Sequence, residues 1–282
     1  MIDLHAHTLA SDGGDRPPEL VAAAAAAGVG TLAVTDHDTV AALPEARAAG
    51  ERLGVEVLAG CELTATVGDR VVHVLLYGDG LLEPDLADAV QVARHARDER
   101  NRAIGERLER LCGVGYDDAV RVAGESALSR AHFARALVAH RAVADVPEAF
   151  DRFLSSGRPA YVPAPGVSVT DAVAVAGKAG GVAVLAHPGR LASAERDRVL
   201  NQALDAGIDG LEVWHPQYDP DLRRSLERLA DRHGLLATGG SDYHGRHKPD
   251  VHLGTGTNAN LTVPADRLDA LRARLASEGP DA

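Results

Sequence analysis

Near the start of the chain His5 and His7 are separated by a single residue, and Asp242 and His244 repeat that spacing near its end. Alternate side chains of an extended strand share a face, so both imidazoles of such a pair reach one ion. Between the two pairs lie the run Asp36, His37 and Asp38, then Glu62, His73 and His187. Imidazole and carboxylate donors with almost no thiolate suit Zn, Mn or Fe, with positions left open for water. A carboxylate such as Glu62 is able to bridge two ions. Bridged ions lower the pKa of a shared water and clamp the oxygens of a tetrahedral or phosphoryl transition state. Each residue alone is a weak signal. A bare His-x-His is common by chance, a lone strand histidine such as His73 is usually a satisfied core residue, and Asp12 reads equally well as a turn residue before Gly13 and Gly14. Asp36 and Asp38 suit hydrogen bonds that orient His37 or its loop better than metal ligation.

The elements must bring these groups together. Apolar, β-branched runs over 2–7, 29–35, 55–62, 71–77, 182–186, 210–214 and 235–238 read as strands, seven in all. The third and fourth are close enough to form a hairpin around Gly68 and Asp69. Pro17, Pro18 and Glu19 open a helix that ends at Gly28, and 43–53 is a helix ending at Gly54. Helices over 169–179, 194–206 and 222–233 separate the later strands. This alternation implies βα units and a mainly parallel sheet. The polar residues fall mostly at strand C-terminal ends, which form one mouth in a parallel barrel; His73 lies within the fourth strand. Over 83–159 the strand signals vanish. A long Arg- and Glu-rich helix over 86–111, with Val90, Ala93, Ile104, Leu108 and Leu111 on its apolar side, precedes shorter helices near 116–123, 131–140 and 146–154. The Pro/Gly-rich stretch 157–166 then returns the chain to the βα pattern. The expected organisation is an α/β barrel of 1–82 and 160–282 with a helical insertion of 83–159.

Composition narrows the function classes. A chain of 282 residues can bury a sizeable core. Aromatics are 3% of the residues, too few for a stacking surface for single-stranded nucleic acid. A net charge of −12 disfavours a coat for duplex nucleic acid, though not a local basic pocket for a small anion. Lys178 and Lys248 are the only lysines; Arg suits bidentate phosphate recognition, although a coding bias explains the preference equally well. Cys61 and Cys112 lie in apolar contexts without metal-binding spacing and read as reduced and structural, consistent with the cytoplasm. No run is long enough for a membrane span, and no signal segment opens the sequence.

The ordered set Asp3-Leu4-His5-Ala6-His7-Thr8, Ser11-Asp12-Gly13, Thr35-Asp36-His37-Asp38, Gly60-Cys61-Glu62-Leu63, His73, Ala186-His187-Pro188-Gly189-Arg190 and Ser241-Asp242-Tyr243-His244 resembles the polymerase-and-histidinol-phosphatase (PHP) family over nearly the whole chain. The resemblance implies a distorted (β/α)7 barrel with two or three divalent ions (Mn, Zn or Fe) at its mouth. Carried over by position, it implies the metal ligands His5, His7, Asp12, His37, Glu62, His73, His187, Asp242 and His244. In that assignment Glu62 bridges two ions, Asp12, His37 and His244 hold the third, and Glu62, Asp242 and His187 stand closest to the reaction. The segments Ser129-Arg130-Ala131-His132 and Gly157-Arg158-Pro159-Ala160-Tyr161-Val162 look like the stand-alone nucleotide phosphoesterases of the family. That subgroup acts on nucleoside 3′,5′-bisphosphates or monophosphates, and some members trim short oligoribonucleotides from the 5′ end. The resemblance further implies that Arg130, His132 and Arg190 contact substrate phosphate, which a guanidinium fork is built to hold.

Other readings stay open. Arg130 and His132 also fit a helix start capped by Ser129. The arginines between Arg94 and Arg110 alternate with acids at helical spacing and read as a solvated, ion-paired face. His215 is unassigned, and His95, His140, His233, His247 and His252 read as surface or loop residues. The expected activity is metal-assisted hydrolysis of a small phosphorylated substrate, foremost a nucleotide. A 5′–3′ exoribonuclease, a histidinol-phosphate phosphatase and an amidohydrolase-type reaction are the alternatives. Oligomeric state is not encoded in these patterns.

Overall fold

The computed structural model describes residues 1–68, 70–82, 84–124, 126–163 and 167–278. Asp69 of the expected hairpin turn, residues 164–166 of the returning stretch and the side chain of Ala93 lie outside the described residues.

The chain begins with β1 (Ile2–Ala6), α1 (Pro17–Ala26), β2 (Thr31–Val34), α2 (Leu43–Leu53), β3 (Glu56–Val67) and β4 (Arg70–Tyr77). It continues through α3 (Pro84–Cys112), α4 (Tyr116–Ala123), α5 (Arg130–Ala139) and α6 (Val146–Ala149), which runs into a π turn at Phe150–Leu154. β5 (Val167–Ser168), α7 (Val169–Lys178), β6 (Val182–Leu185), α8 (Ser193–Asp205), β7 (Gly210–Trp214), α9 (Pro220–His233), β8 (Leu236–Gly239) and α10 (Ala265–Glu278) complete it. The sheet follows the order β1-β2-β3-β4-β6-β7-β8, with β5 pairing on β3. Its path returns on itself, because Ala6 bridges Tyr243 and the His7 N–H donates to the Tyr243 carbonyl at 2.9 Å.

The seven expected strands form that path, with one difference. β3 continues five residues past Glu62, carried by the alternation of Leu63, Ala65 and Val67 with Thr64 and Thr66. As the expected hairpin requires, β4 is antiparallel to β3; it pairs antiparallel with β6 as well, within a sheet that is otherwise mainly parallel. This reversal sets the course of α3. β4 ends at the side opposite the mouth, and a helix of 29 residues spans about 43 Å at 1.5 Å per residue, enough to climb back past the mouth. The short β5 and the C-terminal α10 are elements the sequence pattern leaves unassigned.

Helices α1 and α2 cover one face, with Leu20, Val21, Ala24, Leu43 and Ala46 packed on Leu32 and Val34. A second cluster joins Leu4, Ala33, Leu75, Tyr77, Val182 and Val184 to Leu268 and Leu271 of α10. Helices α3 to α6 and the π turn share their own apolar cluster around Ile104, Leu108, Phe133, Leu137 and Leu154. Leu111, expected on the apolar side of α3, is 48% exposed, because the stripe turns outward before the helix ends. Among the described residues no helix is long and apolar enough to cross a membrane.

Candidate metal centre and its cationic wall

The β1 alternation aims both imidazoles at one point, with His5 Nε2 3.1 Å from His7 Nε2. Glu62, mid-strand in β3, enters the same space. Its Oε2 lies 3.2 Å from the Nε2 of both His5 and His7, and its Oε1 lies 2.8 Å from His187 Nε2 and 2.8 Å from His73 Nδ1. Asp242 Oδ1, just after β8, is 3.4 Å from His7 Nε2. Asp12 Oδ1 stands 3.2 Å from His244 Nε2 and 3.9 Å from His37 Nε2. All nine residues expected as ligands therefore converge. Their donor atoms form four groups: His7, Asp12, His37, His244; His5, His7, Asp242; His5, Glu62, His187; and His37, Glu62, His73, each with its atoms within 4.8 Å of one another. The two Glu62 oxygens face different histidines, the geometry a bridging carboxylate needs.

The histidines divide: against burial, Glu212 and Glu62 raise His5 well above its usual value and Asp242 and Glu62 raise His7 to about 9, while three others shift the opposite way. Burial pushes His187 down to about 4 and depresses His37 and His244 as well, which leaves neutral imidazoles with a lone pair to donate. Burial opposes the charge on Glu62, yet the imidazoles of His37, His73 and His5 hold its carboxyl well below the usual range. Asp242 behaves alike: against burial, Lys248 and His244 keep it ionised. Asp12 Oδ1, His37 Nδ1 and His73 Nδ1 are buried without a hydrogen-bond partner, atoms that a cation would satisfy. The donor set therefore fits divalent ions.

The loops are held for this purpose. Asp36 accepts from the Thr8 N–H and hydroxyl and from Ser11 Oγ, at 2.8, 2.6 and 2.5 Å, fixing the loop that carries Asp12. A Cβ on Gly13 would stand 2.3 Å from the His7 carbonyl oxygen, so this turn closes only on glycine. Asp38 accepts from the Thr64 N–H and hydroxyl and pairs with Arg97 Nε at 2.9 Å. His187 and Asp242 have φ of 32° and 54°, a left-handed backbone that costs on the order of 1–3 kcal/mol for a non-glycine residue and clusters at functional sites. At His187 the cost is offset by its N–H donating to Glu212 Oε2 at 2.6 Å.

Glu212 is a residue the pattern reading passes over. It is fully buried on β7, and its Oε1 lies 2.8 Å from His5 Nδ1. It thus fixes which His5 nitrogen faces the centre, as outer carboxylates do for ligating histidines. Its sequence signal is a carboxylate inside an apolar strand, followed by His215. His215 is buried against Tyr218, with Nε2 3.5 Å from Asp242 Oδ2. Lys248 donates to that same oxygen at 2.7 Å, leaving Oδ1 toward the histidines.

A cavity of about 210 Å³ opens over the centre. The expected substrate residues all line it: Arg130 and His132 from α5, Arg190 from the turn after β6. His132 accepts the Ser129 N–H on Nδ1 at 3.1 Å, so Nε2 bears its proton and is buried without a partner. Burial pushes this imidazole down to about 4, making it a neutral donor. Arg97 and Arg100 also line the cavity, which corrects the reading of the α3 arginines as a solvated face. Positions 97, 100 and 101 continue the buried stripe of Ile104 and Leu108 at helical spacing. Arg100 is 8% exposed, donates through Nε to the Val162 carbonyl at 3.0 Å, and has an unpartnered Nη2. Burial and the neighbouring Arg130 bring its pKa down to about 9. His247, read as a surface residue, is half-buried against the His132 ring and donates to the Asp12 carbonyl at 3.0 Å.

The PHP domain family matches residues 3–153. The chain belongs to this family. A 3′,5′-nucleoside bisphosphate phosphatase of Chromobacterium violaceum is 40% identical over 86% of this chain and 87% of its own. The 5′–3′ exoribonuclease Rnm of Salmonella typhimurium is 38% identical over 89% and 87%. A solved structure from Bifidobacterium adolescentis, assigned as a metal-dependent phosphoesterase, superposes with a TM-score of 0.82 at 35% identity, covering 96% of this PHP chain and 95% of the other.

Proposed function

We propose that this PHP protein is a metal-dependent phosphoric ester hydrolase acting on small phosphorylated nucleotides, nucleoside 3′,5′-bisphosphates foremost. One observation carries the reading: nine imidazole and carboxylate donors converge, and seven of them line the same cavity as Arg97, Arg100, Arg130, Arg190 and Lys248. Such a site matches a substrate with one phosphate to be cleaved and further negative charge to be held. The similarity to a bisphosphate phosphatase and to an exoribonuclease supports it.

In this reading His5, His7, Asp12, His37, Glu62, His73, His187, Asp242 and His244 hold two or three divalent ions, Mn, Zn or Fe, with Glu62 as the bridge. When bound, the ions supply Lewis acidity, lowering the pKa of a water and neutralising phosphoryl charge. The protein does the rest. Water oxygen bonds to phosphorus, the ester P–O bond breaks, and the departing alkoxide takes a proton, giving phosphate and an alcohol. Glu212 and Lys248 fix His5 and Asp242, next to Glu62 and His187. His132 Nε2–H and the Arg100 and Arg130 guanidinium groups hold the second phosphate, while the exposed Arg190 serves the rim. The insertion of 83–159 acts as a cap on a barrel formed by 1–82 and 160–282, and the protein works in the cytoplasm with Cys61 and Cys112 unpaired. Replacing His5 or Asp242 by Ala is expected to abolish Mn-supported hydrolysis of an aryl phosphate. Unchanged turnover in both variants would contradict the reading.

A further inference from the structure

Resting on that reading, we infer that the site continues beyond the mononucleotide cavity into a subsite for the next nucleotide of a short single strand, with Arg70 as its phosphate-holding residue. Three cavities run in series. The first, over the metal centre, shares His73, Arg130, His187 and Arg190 with a second of about 200 Å³. The second shares Arg70, Val71 and Arg130 with a third of about 310 Å³.

Their chemistry alternates in the way a nucleotide chain does. The first is lined by metal-ligand candidates and cations, suited to a phosphate. The second adds an apolar lining of Val72, Leu185, Pro188 and Leu191, suited to a flat nucleoside body. The third is cationic and hydroxylic again: Arg70, Arg130, Ser155, Ser156 and Tyr161. Phosphate, nucleoside, phosphate is the repeat of a polynucleotide backbone. A nucleoside 3′,5′-bisphosphate, both of whose phosphates the first cavity holds, leaves the second and third unfilled. The third has use for a substrate with a further internucleotide phosphate.

Arg70 is built for holding an anion in place. It opens β4, the hairpin strand that carries His73, so the sheet sets its distance from the metal centre. Glu195 of α8 grips Nε at 3.0 Å, fixing the plane of the guanidinium group. Arg70 and Arg130 also stand close enough for one positive charge to depress the ionisation of the other, a repulsion that a bridging phosphate relieves. The outer wall comes from Ser155 and Ser156, at the end of the π turn, so the insertion and the barrel each supply one side.

The test compares Arg70→Gln and Ser156→Asp with wild type on a nucleoside 3′,5′-bisphosphate and on a 5′-phosphorylated trinucleotide, both with Mn. The expected result is that each variant lowers the ratio of kcat/KM for the trinucleotide to that for the bisphosphate by about 10-fold, the order for one charge-assisted contact to phosphate. An unchanged ratio in both variants overturns the subsite, as does a wild-type protein that hydrolyses the bisphosphate but not the trinucleotide. Failure of wild type on both substrates overturns the phosphoesterase reading itself and is thereby distinguished from failure of the subsite.

Discussion

Replacing Glu212 by Gln exchanges one oxygen for an NH2 group and removes one acceptor. Glu212 accepts at both ends: Oε1 faces His5 Nδ1 at 2.8 Å and Oε2 takes the His187 N–H at 2.6 Å. An amide keeps one oxygen and offers NH2 at the other, so either His5 Nδ1–H or the His187 N–H meets a donor. The carboxylate lies at 0% exposure, and water has no path to repair the loss. A hydrogen bond with a charged partner contributes about 1.5–3 kcal/mol. At about 1.4 kcal/mol per decade, that is about 10- to 100-fold in affinity. If the lost bond is to His5, the tautomer that turns Nε2 toward the centre is no longer enforced. If it is to His187, the left-handed backbone there loses its partner. Both routes weaken ion binding rather than the fold. The assay is Mn activation of aryl phosphate hydrolysis by metal-stripped protein, with thermal unfolding as a control. The activation midpoint is expected to rise about 10- to 100-fold, with the rate largely recovered at saturating metal. A midpoint shifted by less than about 2-fold, in a variant as stable as wild type, would refute the positioning role.

Two further outcomes follow from the cavity wall. Arg100→Met removes a buried guanidinium with an unpartnered Nη2, so KM for a nucleoside 3′,5′-bisphosphate should rise about 10-fold with kcat changed less; an unchanged KM would remove Arg100 from the phosphate wall. His132 is held neutral, its pKa pushed down to about 4 by burial, while in the unfolded chain it titrates near 6.5. The unfolded state thus gains a proton first as pH falls, so this histidine's contribution to stability is intact above pH about 6.5 and lost toward about 4. Chemical denaturation at pH 7 and pH 5 should show a smaller acid loss in His132→Gln than in wild type. Equal losses would mean that this imidazole is protonated in the folded protein.

The barrel's mouth was legible because its chemistry obeys a short rule. Polar residues at the ends of apolar strands have few reasons to be there, and His5, His37, His187 and Asp242 all stand at such ends. His73 fits because β4 runs back along β3, as the short link between those two strand runs implies. The supporting groups were less legible. Glu212 sits inside an apolar strand, and only the fold shows that its partners come from β1 and from the turn after β6. Arg97 and Arg100 alternate with acids along α3, so the local pattern suggests water on that side. Their role depends on where a 29-residue helix crosses the mouth, a fact of tertiary path. Lys248, four residues beyond His244, finds Asp242 only through the turn at Gly245–His247.

The most direct test of metal-dependent phosphoester hydrolysis is phosphate release from a nucleoside 3′,5′-bisphosphate by metal-stripped protein as Mn is added. Release should be absent without metal and should saturate once two to three equivalents are bound, the number proposed above. Full release from the stripped protein, or none at any metal concentration, would contradict it.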